Sequence, residues 1–298
     1  MSPLQPRETS IEVEDGFRVW AMELGGGSVD DRPALLVLHG GPGGTHEYLS
    51  NLAALASESQ RVVFYDQLGC GKSDQPDDPE RWKIPRFVQE LATVRKVLHL
   101  EEVIILGQSW GGMLAIEYLL TTPEGVRGLI LSNSLSSAPI FASELLRLKN
   151  ELPTPIKTAL KQNESNGTLD SEAYKKAVEA FYSRHILRMD PLPEQLLEVL
   201  NSENQVYQVM WGSNEFNFTG NLKDWDRSKD LSRIELPTLI ISGEFDESTP
   251  LVNEALQKGL KNSEWILMPG CSHLPNLENP EAYLQHIRLF LHRISKSQ

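Results

Sequence analysis

The chain has 298 residues, 40% of them apolar and 23% charged, the balance of a soluble globular protein with room for one large α/β domain or a domain with an insertion. Its formal charge of −13 argues against nucleic acid and anionic membrane surfaces as partners, because both are gripped by clustered Lys and Arg. Cys70 and Cys271 form neither a CxxC pair nor a disulfide framework, MSPLQPRETS lacks the apolar stretch of a signal peptide, and no run is long enough to span a bilayer, so a cytoplasmic protein is expected.

The opening TSIEVEDGFRVWAMELGGG alternates around Asp15-Gly16 and predicts a β-hairpin. PALLVLHGGPGG and QRVVFYDQLGCGKSD each read as a short buried strand that ends in a glycine-rich loop. Residues 86–99 have helical periodicity, EEVIILGQSWGGMLAIEYLL reads as strand, tight turn and helix, and VRGLILSNS as another buried strand. Near the C-terminus PTLIISGEFDEST and SEWILMPGCSHLP supply two more strands, followed by an amphipathic helix around residues 279–294. Continuous apolar strands alternating with helices predict a mostly parallel central sheet covered by helices on both faces. Ligands bind such sheets at the carboxyl ends of the strands, where every glycine loop and polar cluster of this chain falls.

Residues 136–232 behave differently. FASELLRLKNEL, SEAYKKAVEAFYSRHI and PEQLLEVLN read as helices with no clear buried strand between them, and KQNESNGTLD reads as a loop. The expected organisation is a core in two parts, residues 1–135 and 233–298, with a helical cap inserted at 136–232.

Gly107-Gln108-Ser109-Trp110-Gly111 follows a strand and opens a helix, the context in which G-x-S-x-G forces a serine onto a sharp elbow. A serine hydroxyl needs a base to become a nucleophile, and the base needs an orienting acid. The required order is serine, acid, histidine. Glu244-Phe245-Asp246-Glu247 follows one later strand and Cys271-Ser272-His273 the next. Asp246 is the preferred acid, with Glu244 and Glu247 as rivals, and His273 is the base; His286 and His292 fall on the final helix. The turn His39-Gly40-Gly41-Pro42-Gly43-Gly44 suits an oxyanion hole built from the N–H groups of Gly41 and Trp110. Pro42 has no N–H, and His39, which precedes the serine, reads as a brace for the turn.

Two other patterns lead elsewhere. Gly71-Lys72-Ser73 ends like a phosphate-binding loop, but Asp66 stands where that motif needs its first glycine. Neither cysteine sits on an elbow, so neither reads as a nucleophile.

HGGPG, DQLGCGKSD, GQSWGG, MWGSNEF and the pair SGEFDE and GCSH together resemble the prolyl aminopeptidases (proline iminopeptidases) of the α/β-hydrolase fold. They are most similar to the tricorn-interacting-factor type and the related L-amino-acid amidases. Leu68 stands where the longer bacterial enzymes have arginine, and Gln108 and Gly112 also differ, so the resemblance implies release of proline or another apolar N-terminal residue rather than strict proline specificity. It implies that Glu215 and Glu247, with Tyr207, hold the free α-ammonium of a short peptide or amino-acid amide. Paired carboxylates offset the desolvation of a cation entering a closed pocket. Trp110, Trp211 and Phe245 fit either an apolar pocket wall or plain core. The expectation is a serine aminopeptidase that works through an acyl-enzyme without metal or cofactor. A general carboxylesterase or amidase with the same residues, and a hydrolase-fold receptor, are the alternatives. The oligomeric state is left open, with a monomer as the simple expectation.

Overall fold

The computed structural model describes residues 4–27, 32–191 and 204–296. Eight strands form one sheet: β1 (Arg7–Glu12), β2 (Arg18–Leu24), β3 (Ala34–Leu38), β4 (Val62–Tyr65), β5 (Val103–Gln108), β6 (Val126–Ser132), β7 (Thr238–Gly243) and β8 (Ser263–Met268). Their spatial order is β1-β2-β4-β3-β5-β6-β7-β8. β1 and β2 are the expected antiparallel hairpin, with Asp15 and Gly16 at positive φ in its turn. β2 pairs antiparallel with β4, and every pair from β4 through β8 is parallel.

The strand sequences explain why both faces are covered. Along β3 and β5, Leu36, Leu38 and Ile105 face one apolar cluster, while Leu35, Val37, Ile104 and Leu106 face the other. This is the period-2 alternation of a strand buried on both sides. Helices α1 (Ile84–Val97) and α2 (Trp110–Leu120) cover the first face. Helix α9 (Pro280–Lys296) covers the second with Tyr283, Leu284, Ile287, Phe290, Leu291 and Ile294, a stripe at helical spacing. The helix predicted at 86–99 thus begins slightly earlier, with Pro85 in its first turn, and ends where His99 takes positive φ.

Between β6 and β7 run α3 (Ala138–Glu151), α4 (Thr154–Asn166), α5 (Glu172–His185) and α6 (Gln205–Met210). The isolated bridges Ser137–Asp226 and Gly212–Phe218 are the only β pairing there among the described residues. The loop reading of KQNESNGTLD fails over its first six residues. Lys161–Asn166 are the last turns of α4, because Lys, Gln and Glu are good helix formers and the stop comes only at Gly167, whose φ of 69° closes the helix. The helix read at 193–201 lies outside the described residues. α7 (Pro250–Gly259) and the short α8 (Pro275–Glu278) complete the fold. Among the described residues no helix is long and apolar enough to cross a membrane.

The carboxyl ends of β3, β4, β5, β6 and β7 lie side by side, so the loops that follow them converge. This convergence depends on the central strands keeping their register. Ile105, fully buried at the centre of β5, should destabilise the protein by about 2–5 kcal/mol when replaced by alanine, through lost burial and the cavity left behind. Urea unfolding of Ile105→Ala measures this; a loss under about 1 kcal/mol would contradict the packing described.

Candidate active site

β5 ends at Gln108 and α2 begins at Trp110, leaving Ser109 alone to reverse the chain. It does so at φ 52°, ψ −121°, a strained conformation for a residue with a Cβ. The neighbouring glycines give it room. A Cβ on Gly107 would collide with the backbone of Gly111, one on Gly111 with the carbonyl of Leu38, and one on Gly112 with the Ser134 side chain. The turn is held by Ser109 N–H donating to Ser132 O at 2.9 Å and by the Ser134 hydroxyl donating to Ser109 O at 2.9 Å.

Asp246 and His273 come together from the loops after β7 and β8. His273 Nδ1 lies 2.7 Å from Asp246 Oδ1, with both residues buried. Burial alone would lower the histidine's pKa, but the charge and hydrogen bond of Asp246 more than offset it and hold the ring above its ordinary value. Asp246 is fixed in turn: Ser248 N–H donates to Oδ1 at 2.9 Å, and Asn133 Nδ2 donates to Oδ2 at 2.7 Å. Of the two rival acids, Glu244 lies at the surface and accepts from Gly270 N–H, whereas Glu247 approaches the other ring nitrogen, Nε2, at 3.9 Å.

The turn after β3 passes under the elbow. Gly41 has φ 112°, a value open to glycine. Among the described residues neither the Gly41 nor the Trp110 N–H donates to a protein acceptor. For Trp110 this is the orphan donor of a helix N-terminus. His39 is buried, and burial lowers its pKa. Both its ring nitrogens are engaged, Nε2 accepting from Gln67 N–H at 3.0 Å and Nδ1 lying 2.9 Å from Gly40 O. It braces the turn and is not free to act as a base. A second brace runs from Gly40 N–H to the Tyr48 hydroxyl (2.6 Å), from that hydroxyl to Gln108 Oε1 (2.6 Å), and from Gln108 Nε2 to His273 O (3.4 Å).

The acids named from the cap and the Asp246 loop meet beside the histidine. Glu247 is fully buried, and neither of its carboxyl oxygens has a hydrogen-bond partner; the buried Tyr207 hydroxyl also lacks one. Glu215, Tyr207 and Glu247 lie near enough to interact electrostatically without closing a sound hydrogen bond. Burial raises the Glu215 pKa. Glu247 is held well above the ordinary carboxylate range by burial first, then by the negative charges of Glu215 and Asp246. Two connections place this cluster. Asn204 caps α6, accepting from Tyr207 N–H at 3.2 Å and donating to Gly69 O at 2.9 Å. The end of α5 grips the acid loop through Glu247 N–H to His185 O at 3.3 Å and the His185 ring to Phe245 O at 2.9 Å.

Of the three aromatic residues read as pocket wall or plain core, Phe245 is neither. Phe245 is a surface residue under the Arg188 guanidinium, 4.0 Å from its ring centre, because the turn that points Asp246 and Glu247 inward points Phe245 out. The Trp110 ring is core, edge-on to Phe87 at 5.6 Å. Trp211 is also core, stacked on Phe218 at 4.0 Å, although its indole N–H reaches Glu215 O at 3.3 Å. Both thiols are buried, with burial pushing Cys271 up to about 11 and Cys70 higher than its ordinary value, so neither is an activated nucleophile. The sequence reading missed Asn133, Gln67, Gln108, Tyr48 and Tyr182, whose buried hydroxyl accepts from Glu215 N–H at 3.4 Å. Asn133, Gln67 and Gln108 stand as amides at the carboxyl ends of apolar strands, which marks their place but not their partners. Tyr182 carried no signal beyond its place on a helix face.

A family profile for the alpha/beta hydrolase fold matches residues 33–280. The chain is 40% identical over 263 residues to a proline iminopeptidase of Saccharolobus solfataricus, covering 87% of this chain and 85% of that protein. It is 42% identical over 262 residues to a proline iminopeptidase of Lactobacillus delbrueckii subsp. lactis, covering 86% and 89%. The crystal structure of a Mycobacterium smegmatis proline iminopeptidase superposes with a TM-score of 0.90 at 33% identity, over 98% of this chain and 99% of that one.

Folded Glu247 keeps its proton more tightly than an unfolded glutamate does. The stability linked to that proton is full below the unfolded value and is lost as pH rises through the raised one. Glu247→Gln never ionises, so it should melt at a higher temperature than the parent at about pH 8 and by a smaller margin at about pH 4. Calorimetric melts at both pH values check this; equal melting temperatures at the higher pH would contradict a buried, unpaired acid.

Proposed function

From the premise that the chain belongs to the α/β-hydrolase family and, within it, to the proline iminopeptidases, we propose that Ser109, His273 and Asp246 carry out its aminopeptidase reaction beneath a cap formed by residues 136–232. The chain is a hydrolase of prolyl aminopeptidase type. Its substrate in this reading is a short peptide or amino-acid amide with a free N-terminus and a first residue that is proline or another apolar residue. A cytoplasmic location belongs to the same reading and rests on two buried, unpaired thiols.

Ser109 Oγ attacks the first carbonyl carbon while His273 Nε2 takes the hydroxyl proton. Asp246, 2.7 Å from Nδ1, fixes the tautomer and stabilises the imidazolium. The carbonyl oxygen, now negative, accepts from the Gly41 and Trp110 N–H groups. Collapse breaks the C–N bond, and His273 returns the proton to the leaving amine. Water then attacks the acyl-enzyme with His273 again as base, freeing the amino acid and restoring the serine hydroxyl. The raised histidine pKa places the rise of activity with pH above the ordinary imidazole value, because the base must be neutral.

The observation that carries the peptidase reading is the unpartnered, fully buried Glu247 carboxyl, 3.9 Å from the histidine ring and beside the half-buried Glu215 and Tyr207. An esterase has no use for an unpaired buried acid there, and a substrate ammonium supplies the missing partner. It also sets the distance from the N-terminus to the attacked carbonyl.

Ser109→Ala should lose at least about a thousandfold in kcat while keeping its unfolding midpoint. N-acetylation of prolyl or alanyl anilide should lower kcat/KM at least about a hundredfold, since the buried acids lose their cation. Steady-state rates on the blocked and free substrates decide it; equal rates would remove the aminopeptidase reading, and an active Ser109→Ala would remove the serine mechanism.

A further inference from the structure

The DQLGCGKSD loop was singled out in the sequence, and the mechanism leaves it without a role. Its second residue, Gln67, follows β4 and is fully buried. Its backbone N–H donates to His39 Nε2 at 3.0 Å, and its side-chain Nε2 donates to His39 O at 3.1 Å. Its Oε1 accepts from the Trp110 indole N–H at 2.8 Å. His39 in turn contacts Gly40 O through Nδ1 at 2.9 Å. One side chain therefore joins the turn that carries Gly41 to the residue that carries the second orphan N–H. The two segments follow different strands, β3 and β5, and the indole spans the gap between the end of β5 and the Gln67 amide.

We propose that Gln67 is the positioning residue of the oxyanion hole: it sets the separation and direction of the Gly41 and Trp110 N–H groups and touches neither substrate nor product. The inference rests on the reading of those two amides as oxyanion donors. The chemistry of the position supports it. The side chain must donate to one carbonyl and accept from one N–H at the same time, which an amide does and a carboxylate, ammonium or apolar group does not. Donors act on a transition state only when fixed within a fraction of an ångström of the developing charge, so a loosened hole should affect turnover more than binding.

The test uses Gln67→Leu, Trp110→Phe and the double variant. Trp110→Phe removes the indole N–H, keeps the backbone N–H and leaves the bonds of Gln67 to His39 in place. Three readings are taken: kcat and KM on prolyl anilide, affinity for pyrrolidine-2-boronic acid as a tetrahedral anion on Ser109, and affinity for L-proline as a ground-state ligand. Each single variant should lose about tenfold to a hundredfold in kcat with KM changed less than about threefold. Boronate affinity should fall by the same factor while L-proline affinity holds. The double variant should be no worse than the worse single one, because the indole–amide bond that Trp110→Phe removes is already lost in Gln67→Leu. A kcat within about threefold of the parent in Trp110→Phe, a multiplicative loss in the double variant, or an equal loss of boronate and L-proline affinity would each overturn the proposal. If Gln67→Leu does not fold, Trp110→Phe decides alone. Retained turnover in Ser109→Ala marks failure of the underlying serine mechanism, which is a separate result from any of these.

Discussion

Everything at the carboxyl edge of the sheet depends on one backbone conformation. Ser109 sits at φ 52°, ψ −121°, a state that costs on the order of 1–3 kcal/mol for a residue with a side chain. The surrounding structure over-determines it. β5 is paired on both sides, α2 starts at the next residue, and three glycines occupy positions where a Cβ would strike backbone or a buried hydroxyl. That conformation lifts the serine off the sheet and leaves the first N–H of α2 without a partner. A relaxed turn would lose both features together. The glycines are steric requirements of the strained residue rather than chemical participants.

A second constraint concerns charge. A fully buried carboxyl with no hydrogen-bond partner is unfavourable by several kcal/mol if ionised, and Glu247 is in that position with Glu215 and Asp246 nearby. Folding alone offers no reason to keep it. A cationic ligand does, because it turns a destabilising pair into a selective one. The same placement would connect recognition to chemistry under the proposed function: Glu247 and Asp246 are adjacent in one loop, approach opposite nitrogens of one imidazole, and are gripped by the end of α5. Displacing α5 would therefore disturb both Asp246 and Glu247.

The sheet, the elbow and the order of serine, acid and histidine were legible because they rest on local signals. Uninterrupted apolar runs make strands, glycines crowd the turns, and polar groups gather at strand ends. Glu215, Glu247 and Tyr207 were singled out only through resemblance, since nothing in MWGSNEF distinguishes a buried acid from a solvated one. The bracing network was not legible. Gln67, Gln108, Tyr48 and Asn133 act mostly through side-chain hydrogen bonds between segments 28 to 165 residues apart, and no pattern along the chain encodes such pairings. Phe245 went wrong for a related reason. Its neighbours turn inward, and only the loop's three-dimensional course shows that it must turn out.

Calorimetric titration of Ser109→Ala with prolinamide, repeated in buffers of different ionisation enthalpy, bears most directly on the claim that a buried carboxyl pair reads the substrate's ammonium. Binding should release protons wherever Glu247 still holds its own, because the entering cation favours the ionised form of an acid whose ionisation burial disfavours, and N-acetylprolinamide should not bind. Equal binding of the acetylated compound with no proton released would contradict the account.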